Sequence, residues 1–443
     1  MKYLFAIQVT IIFGILLFCN STFAQAARSP ILLEKPTAED IYYRGTGAFF
    51  AKKYEVAILY FDRAIRMDAA FHSRAYNKRG QCNYNLEKYK EARLDYDKAI
   101  ENAPRFAEAY NSRGALNLYL KNYDNALDDL NEAIDLNPRY SDAIFNKGQV
   151  YVGKNELVKA ITFFSKAIKL NSYDVDYFIT RGITYYDLVL YDSAIVDFDS
   201  ALMIDPENME ALKFRTKSNI EIGEFDLALE DFEEALRLDS TDFWIWNNRA
   251  GLYVDMNEIE KGIADYSKAM ELAPDTIYLY KNRAIAYRKL KQYNNALADY
   301  NKALAIDSTY TEAYNNRGFV YDLMGKNELA ILDFSKSIEL DPAGAAYSLN
   351  NRSNSYRKLK QFDRAKKDIK ESLALNENNG WAFATLAFIF ADEGNDELFL
   401  KNIELAISKP LAYPLKEKLE EEKSLGKYKN DERFLKILEK SEK

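Results

Sequence analysis

Small and large apolar residues recur along this chain at an interval of 34 residues, with an occasional step of 35. With Gly45 counted as position 8 of a repeating unit, position 8 is small in all eleven units, and position 20 is alanine or glycine in ten of them. Position 24 is always large and apolar, from Phe61 to Ile403. Small side chains at positions 8 and 20 let two helix axes approach closely, while the large side chain fills the space one turn away. The pattern therefore predicts eleven α-helical hairpins.

Each predicted hairpin has a first helix that carries position 8, a turn near positions 14 and 15, and a second helix that carries positions 20 to 27. The units begin at residues 38, 73, 107, 141, 175, 209, 243, 277, 311, 346 and 380, and together they span residues 38–409. Proline at position 32 ends the second helix in five units, because proline cannot continue a helix. These prolines are Pro104, Pro138, Pro206, Pro274 and Pro342. One hairpin cannot bury its apolar face alone, so the hairpins are expected to stack into a solenoid.

This combination of residues resembles the tetratricopeptide repeat, which has a small residue at position 8, alanine at positions 20 and 27, an aromatic residue at position 24 and proline at position 32. Unit three carries Gly114, Ala126, Ala133 and Pro138, with Leu130 in the aromatic place. The resemblance implies an all-α fold, a right-handed superhelical solenoid of antiparallel helix hairpins. It also implies that the first helices line a concave groove, which takes a peptide or a partner segment.

Residues 1–24 have the form of a secretory signal peptide, with a basic Lys2, an apolar stretch and a small residue, Ala24, at the cleavage site. We therefore expect cleavage after Ala24 and export to the periplasm or the extracellular space. No later apolar run is long enough to span a bilayer. An uncleaved membrane anchor is the alternative, and residues 25–37 are expected to form a linker.

Residues 410–443 break the period and are predicted to form amphipathic helices that cap the end of the solenoid. A helix that docks on a partner is the alternative. The apolar residues at helical spacing are Leu415, Leu419, Phe434, Ile437 and Leu438. In unit eleven Phe399 replaces the small residue of position 20, so residues 380–409 are expected to pack atypically.

Position 7, where the resemblance implies an apolar residue, is arginine in nine units, and position 23 is aspartate in eight. The two positions lie symmetrically about the turn, so they face each other across a hairpin. We predict a structural Arg–Asp pair, joined by two hydrogen bonds, in each of eight hairpins. The predicted pairs are Arg79–Asp95, Arg113–Asp129, Arg181–Asp197, Arg215–Asp231, Arg249–Asp265, Arg283–Asp299, Arg317–Asp333 and Arg352–Asp368. A ligand-binding row of arginines is the alternative interpretation.

The resemblance implies that positions 2, 5, 6, 9, 12 and 13 of the first helix face the groove. In units seven to ten these positions are rich in amide, aromatic and basic residues. Amides can hold a peptide backbone without reading its sequence, aromatic residues anchor partners, and cations steer an acidic stretch. The predicted contact residues are Trp244, Asn247, Asn248, Tyr278, Asn282, Lys289, Asn315, Asn316, Tyr347, Asn350, Asn351, Arg357 and Lys358. Alternatively, the asparagines solvate helix starts and the aromatic residues pack between hairpins.

These features predict a non-catalytic scaffold that binds another protein or a peptide, and they leave the oligomeric state open. A glycan-binding module and an architectural spacer of an envelope complex are the alternatives, because aromatic faces beside amides also suit sugars. The net charge of −8, with no basic block, disfavours nucleic acid as a partner. His72 is the one histidine, and Cys82 is the one cysteine that remains after cleavage. Because no nucleophile–base pair, metal-ligand spacing or phosphate-binding loop stands out, no enzyme activity, metal or cofactor is expected.

Overall fold

A computed structural model of the chain describes residues 36–409, 423–428 and 431–440. These residues form α-helices and two short 3₁₀ helices, and no strand occurs among them. The proposed signal peptide, most of the linker, and Leu415 and Leu419 lie outside the described residues. None of the described helices is long and apolar enough to cross a membrane.

The chain divides into two compact units, Met1–Phe214 and Arg215–Lys443. The helices up to the boundary are α1 (Ala38–Phe50), α2 (Tyr54–Met67), α3 (His72–Asn85), α4 (Tyr89–Asn102), α5 (Ala107–Tyr119), α6 (Tyr123–Leu136), α7 (Ser141–Gly153), α8 (Leu157–Leu170), α9 (Val175–Asp187) and α10 (Tyr191–Ile204). The boundary falls inside α11 (Met209–Glu221).

The helices of the second unit continue the same order. They are α12 (Phe225–Leu238), α13 (Phe243–Asp255), α14 (Ile259–Leu272), α15 (Ile277–Lys289), α16 (Tyr293–Ile306), α17 (Thr311–Leu323), α18 (Asn327–Leu340), α19 (Ala346–Lys358), α20 (Phe362–Leu375), α21 (Gly380–Asp392), α22 (Asp396–Ile407) and α23 (Glu432–Lys440). The helices α1 to α22 thus form eleven successive pairs in the described residues, as the repeat period predicted, and we number these hairpins one to eleven.

The small residue at position 8 lies directly beneath the large side chain at position 24 of the same hairpin. A methyl group added at Gly148 would lie 2.5 Å from the ring of Phe164, and one added at Gly182 would lie 2.6 Å from the ring of Phe198. Both rings are fully buried. The contact between a ring and a bare backbone therefore accounts for the small–large spacing seen in the sequence.

The turn inside each hairpin has the same backbone in all eleven cases. The residue at position 15 has a positive φ, and the next residue donates a hydrogen bond to the carbonyl at position 11, as Lys53 does to Ala48 over 2.9 Å. This is the Schellman ending of a helix, in which glycine is preferred at the left-handed residue. Glycine occupies it only at Gly223, Gly325 and Gly394. In hairpin five the left-handed residue is Val189, whose branched side chain suits that conformation poorly.

Within each unit a second helix packs on the first helix of the next hairpin, as α2 does on α3 and α18 on α19. The first helices of neighbouring hairpins also contact each other, for example α3 with α5 and α19 with α21. Within each unit, the hairpins thus bury their apolar faces against one another, as expected of a solenoid. We call the surface formed by positions 2, 5, 6, 9, 12 and 13 of these helices the first-helix face.

Hairpin eleven carries the C-terminal segment. Phe399, the large residue at position 20, is fully buried, and its ring stacks on that of Tyr428 with the centroids 4.0 Å apart. The ring of Phe434, on α23, lies 5.5 Å from that of Phe399. Leu425 and Ile437 belong to the same buried cluster. The residue that departs from the repeat is therefore the one that holds the segment after the last hairpin.

Candidate binding surface

The structure brings together the arginine and the aspartate of each predicted pair. The shortest distances from arginine nitrogen to aspartate oxygen run from 2.5 Å in Arg79–Asp95 and Arg215–Asp231 to 2.8 Å in Arg352–Asp368. The remaining pairs are Arg113–Asp129, Arg181–Asp197, Arg249–Asp265, Arg283–Asp299 and Arg317–Asp333. The aspartates are buried, and the arginines are largely covered. This placement inside the hairpins favours a structural role over ligand binding.

Six of the eight paired arginines also reach back to the preceding hairpin, a contact that was not predicted from the sequence. The Nη1 atom donates to the polar residue at position 25 of that hairpin, as Arg113 does to Asp97 over 2.7 Å and Arg283 to Ser267 over 2.8 Å. The other acceptors of this kind are Asp62, Ser165, Asn301 and Ser335. The sequence does carry a signal for this contact, because position 25 is polar in hairpins one to nine. The arginines therefore join neighbouring hairpins as well as the two helices of one hairpin.

Hairpin four replaces the ion pair by another contact between the same two positions. Lys147 stands at position 7, and its Nζ atom lies 4.8 Å from the ring centroid of Phe163 at position 23. The same atom donates to Asn131 of the preceding hairpin over 2.6 Å. In this hairpin a cation–π contact thus replaces the ion pair.

Burial disfavours the charged forms of the residues in these ion pairs. Burial raises the pKa of Asp197 in spite of its hydrogen bonds with Arg181. Burial would also lower the pKa of Arg181, but the hydrogen bonds and the charge of Asp197 outweigh it, and that pKa rises. The raised pKa of Asp197 means that burying its ionised carboxylate has a free-energy cost. Such a pair therefore matters most when one partner is removed, because the other charge is then left buried alone.

The first-helix face of hairpins seven to ten, which we call the amide face, carries the predicted row of asparagines. Asn282 donates from Nδ2 to Asn247 Oδ1 of the preceding hairpin over 3.1 Å, and Asn351 donates in the same way to Asn315 over 3.1 Å. Asn248 instead donates to the carbonyl of Trp244 in its own helix over 2.6 Å. The row therefore consists partly of amide pairs between hairpins, each 35 or 36 residues apart in sequence.

Two members of the row differ from the others. Asn316 is half-buried and makes no hydrogen bond with any described residue. Asn350 is buried, and its Oδ1 atom has no partner there. Asn316 therefore still offers hydrogen-bonding groups on the amide face.

The aromatic residues at position 2 divide into two kinds. Tyr347 is 57% exposed and Tyr278 is 38% exposed. Trp244 is half-buried, with Lys217 Nζ 5.5 Å from its ring centroid, and Trp381 packs against the buried cluster of hairpin eleven. The two tyrosines are thus the side chains with surface available to a partner.

Two of the three predicted steering cations of the amide face are neutralised within the chain. Arg357 is 5% exposed and forms an ion pair with Asp392 over 2.9 Å. Lys358 pairs with the buried Asp322 over 2.6 Å, and Asp322 also accepts a hydrogen bond from Ser355 over 2.9 Å. Both acids lie on neighbouring first helices. Lys289, in contrast, is exposed, and its one hydrogen bond is a 3.5 Å contact with the carbonyl of Val254.

Cys82 and His72 are the two residues that the sequence offered for chemistry. Burial raises the pKa of the Cys82 thiol to about 12, so little thiolate exists near neutral pH. His72 is hydrogen-bonded through Nε2 to the carbonyl of Ile65 over 2.9 Å. The described residues contain no group of histidine, cysteine and acidic side chains able to hold a metal ion.

Comparison with known proteins identifies the repeat. Tetratricopeptide repeat family models match residues 44–106, 107–140, 141–174, 245–276, 311–343 and 346–379, and a further TPR repeat model matches residues 285–325. Together these matches cover more than half of the chain. No curated protein matches the sequence significantly.

Several solved structures are similar. A tetratricopeptide repeat protein from Parabacteroides merdae is 20% identical over 55% of this chain and 96% of its own, with a TM-score of 0.49. Yeast Tom70 is 16% identical over 86% of this chain and 93% of its own, with a TM-score of 0.45. YrrB, described as a TPR protein with an unusual peptide-binding site, is 23% identical over 42% of this chain and 95% of its own, with a TM-score of 0.38. The family models, together with the eleven hairpins, show that the chain belongs to the tetratricopeptide repeat family.

Proposed function

We propose that the protein is an interaction scaffold whose amide face binds an extended peptide segment of another protein. The observation that carries this proposal is the free amide of Asn316, which stands in a row with Asn282 and Asn351 at position 6 of successive hairpins. Tyr278 and Tyr347 are exposed one helical turn away, at position 2 of their helices.

The chemistry of the amides fits a peptide backbone. An asparagine side chain has two N–H donors and an oxygen with two lone pairs. Asn282 and Asn351 each use one donor in their pair with the preceding hairpin, so their oxygens and a second donor remain for a ligand. A backbone offers donors and acceptors in alternation, and a row of amides meets both without selecting particular side chains.

The cations of the amide face divide into two that are neutralised within the chain and three that are not neutralised by any described residue. Asp392 and Asp322 neutralise Arg357 and Lys358, so these two cations contribute to packing between first helices rather than to steering. Lys281, Arg288 and Lys289 form no ion pair with a described residue and remain to meet acidic residues of the ligand. The two exposed tyrosines supply apolar area, which commonly dominates the binding energy of such interfaces.

The test is selection of peptides from a random dodecapeptide library on the purified protein, followed by fluorescence anisotropy with the enriched peptides. We expect the variant Asn282→Ala/Asn316→Ala to bind them about thirtyfold more weakly, because each of the two lost hydrogen bonds contributes about 1 kcal/mol. The matched control is Asn294→Ala, since Asn294 is an exposed asparagine on the second helix of hairpin eight. Its affinity should equal that of the wild type.

Three results would contradict the proposal. Equal affinities of the double variant and the control would remove the amide face as the site. Retention on amylose or dextran resin, lost in the double variant and without enrichment of any peptide, would indicate a glycan-binding module. If neither peptide nor glycan binds while partners attach at the ends of the chain, the protein is an architectural spacer.

The sequence of residues 1–24 supports export of this scaffold. We infer that the mature protein begins at Gln25, because Ala24 is the small residue expected before a signal cleavage site. Mass spectrometry of the protein purified from its natural source tests this inference. An intact Met1 would contradict it.

A further inference from the structure

The first-helix face of hairpins one and two is unlike the amide face, because it carries two exposed aromatic residues on one helix. Tyr43 and Phe50 lie seven residues apart on α1, so they share one side of the helix. Tyr43 is 59% exposed, and Phe50 is 73% exposed. We call the surface formed by Tyr43, Phe49, Phe50 and Lys78 the aromatic face. Adjacent large apolar side chains in water are characteristic of interaction sites.

A lysine without an acidic partner lies against these rings. The Nζ atom of Lys78 is 5.0 Å from the ring centroid of Phe49 and 5.9 Å from that of Phe50. Its one hydrogen bond is to Gln81 Oε1 over 3.0 Å, and no carboxylate of the described residues forms an ion pair with it. Burial lowers the pKa of Lys78. An anion supplied by a binding partner would offset the free-energy cost of keeping this half-buried cation unpaired.

The acidic residues of the neighbouring hairpins do not form an ion pair with Lys78. Glu39 and Glu108 stand at position 2 of hairpins one and three, and both are exposed. Neither forms an ion pair with Lys78 in the structure. The side of Lys78 toward positions 9 and 13 carries Gln81 and Asn85, which are neutral. An incoming carboxylate can therefore approach from that side without repulsion.

The residue before Lys78 also lacks a partner. Asn77 is 3% exposed, and its Oδ1 atom accepts no hydrogen bond in the described residues. At the same position Asn111 Oδ1 accepts from Asn146 of the next hairpin over 2.9 Å. The residue of hairpin three that corresponds to Asn146, and that could donate to Asn77, is Ser112. Its hydroxyl oxygen instead accepts a hydrogen bond from Gln81 Nε2 over 3.1 Å. A main-chain N–H of a ligand would supply the donor that Asn77 lacks.

We infer that the aromatic face is a second docking surface, which binds an acidic segment of a partner protein with an apolar side chain beside its acid. The carboxylate meets Lys78, the apolar side chain covers Phe50 and Tyr43, and a backbone N–H reaches Asn77. Charge complementarity selects this occupant, since the unpaired group of the surface is a cation. The inference is independent of the function proposed for the amide face.

The experiment is fluorescence anisotropy of the purified protein with two labelled peptides, acidic GSDLEFDGS and its neutral match GSNLQFNGS. We expect the acidic peptide to bind more tightly, and we expect Lys78→Gln to weaken it about tenfold, as for loss of one charge-assisted contact. Phe50→Ala should also weaken it. Lys78→Arg, which keeps the charge, and Lys302→Gln, which changes an exposed lysine on the second helix of hairpin eight, should retain wild-type affinity.

Circular dichroism melting curves of the variants identify any that fail to fold, and the acidic and neutral peptides on the wild-type protein then carry the comparison of charge. An acidic peptide that binds no better than the neutral one overturns the inference, and so does unchanged affinity in Lys78→Gln. A dimer in sedimentation that Phe50→Ala converts to monomer would instead assign the surface to a second copy of the chain. Binding to phosphatidylglycerol vesicles but not to the peptides would assign it to a membrane. Failure of the amide-face test leaves all these outcomes unaffected.

Discussion

The aromatic face of hairpins one and two and the amide face of hairpins seven to ten use the same positions of the same repeat, but Lys358 of the amide face has an acidic partner and Lys78 of the aromatic face has none among the described residues. In hairpin ten, Lys358 lies 2.6 Å from the buried Asp322 of hairpin nine. In hairpin two, Lys78 has only Gln81 and two phenylalanine rings. Packing of the hairpins does not require a particular residue at these positions. Each face can therefore acquire its own chemistry without any change of fold.

Beneath both faces lies the same supporting framework. The arginine at position 7 joins the two helices of its hairpin and reaches the preceding hairpin, in Arg113 near the aromatic face and in Arg317 below the amide face. The ring over a small residue at position 8 is also common to both regions. The comparison therefore separates residues that maintain the repeat from residues that distinguish one face from the other.

The largest effect is expected when the shared framework is broken. Asp265→Ala should lower the free energy of unfolding by about 3 kcal/mol, because Arg249 is left without its carboxylate inside the hairpin. Asp255→Ala, at an exposed acid of the same hairpin, should change it by less than about 0.5 kcal/mol. Urea unfolding followed by circular dichroism measures both. Equal losses in the two variants would show that the pair is not a structural element.

A smaller effect is expected when the acidic partner of Lys358 is removed. Asp322→Asn should lower the free energy of unfolding by about 1–3 kcal/mol, since Asp322 is buried and accepts from Ser355 as well as from Lys358. It should also leave Lys358 without its acid, so that the acidic peptide gains binding at the amide face. Asp275→Asn, at an exposed acid before α15, is the control. No gain of peptide binding would mean that a free cation alone does not create the difference.

The smallest effect concerns the backbone that both regions share. Val189→Gly should raise the free energy of unfolding by about 1 kcal/mol, because glycine adopts the left-handed conformation of position 15 without the strain of a branched side chain. Val196→Gly is the matched control at an exposed site within α10, where glycine should destabilise by about 1 kcal/mol. The same urea titration compares them. A loss of stability in Val189→Gly would contradict the account of the turn.

Reasoning from the sequence was most successful inside single hairpins. Arg283 and Asp299 lie at equal distances along the sequence from the turn, so they were predicted to face each other. In the structure Arg283 Nη2 lies 2.7 Å from Asp299 Oδ1. The same reasoning could not find the hydrogen bond from Arg283 to Ser267, because that residue belongs to the preceding hairpin. It also treated Arg357 as a free cation, since Asp392 lies 35 residues away on another first helix.

The sequence by itself determined the number of hairpins, their register and the residues that face each other across each turn. These follow from a period of 34 residues and from the local geometry of a helix, a tight turn and a second helix. Only the tertiary structure decided which groups remain available to a partner. Whether Lys358 is neutralised, Asn316 free or Lys78 unpaired depends on how side chains of neighbouring hairpins meet, and that is set by packing between helices rather than by spacing along the chain.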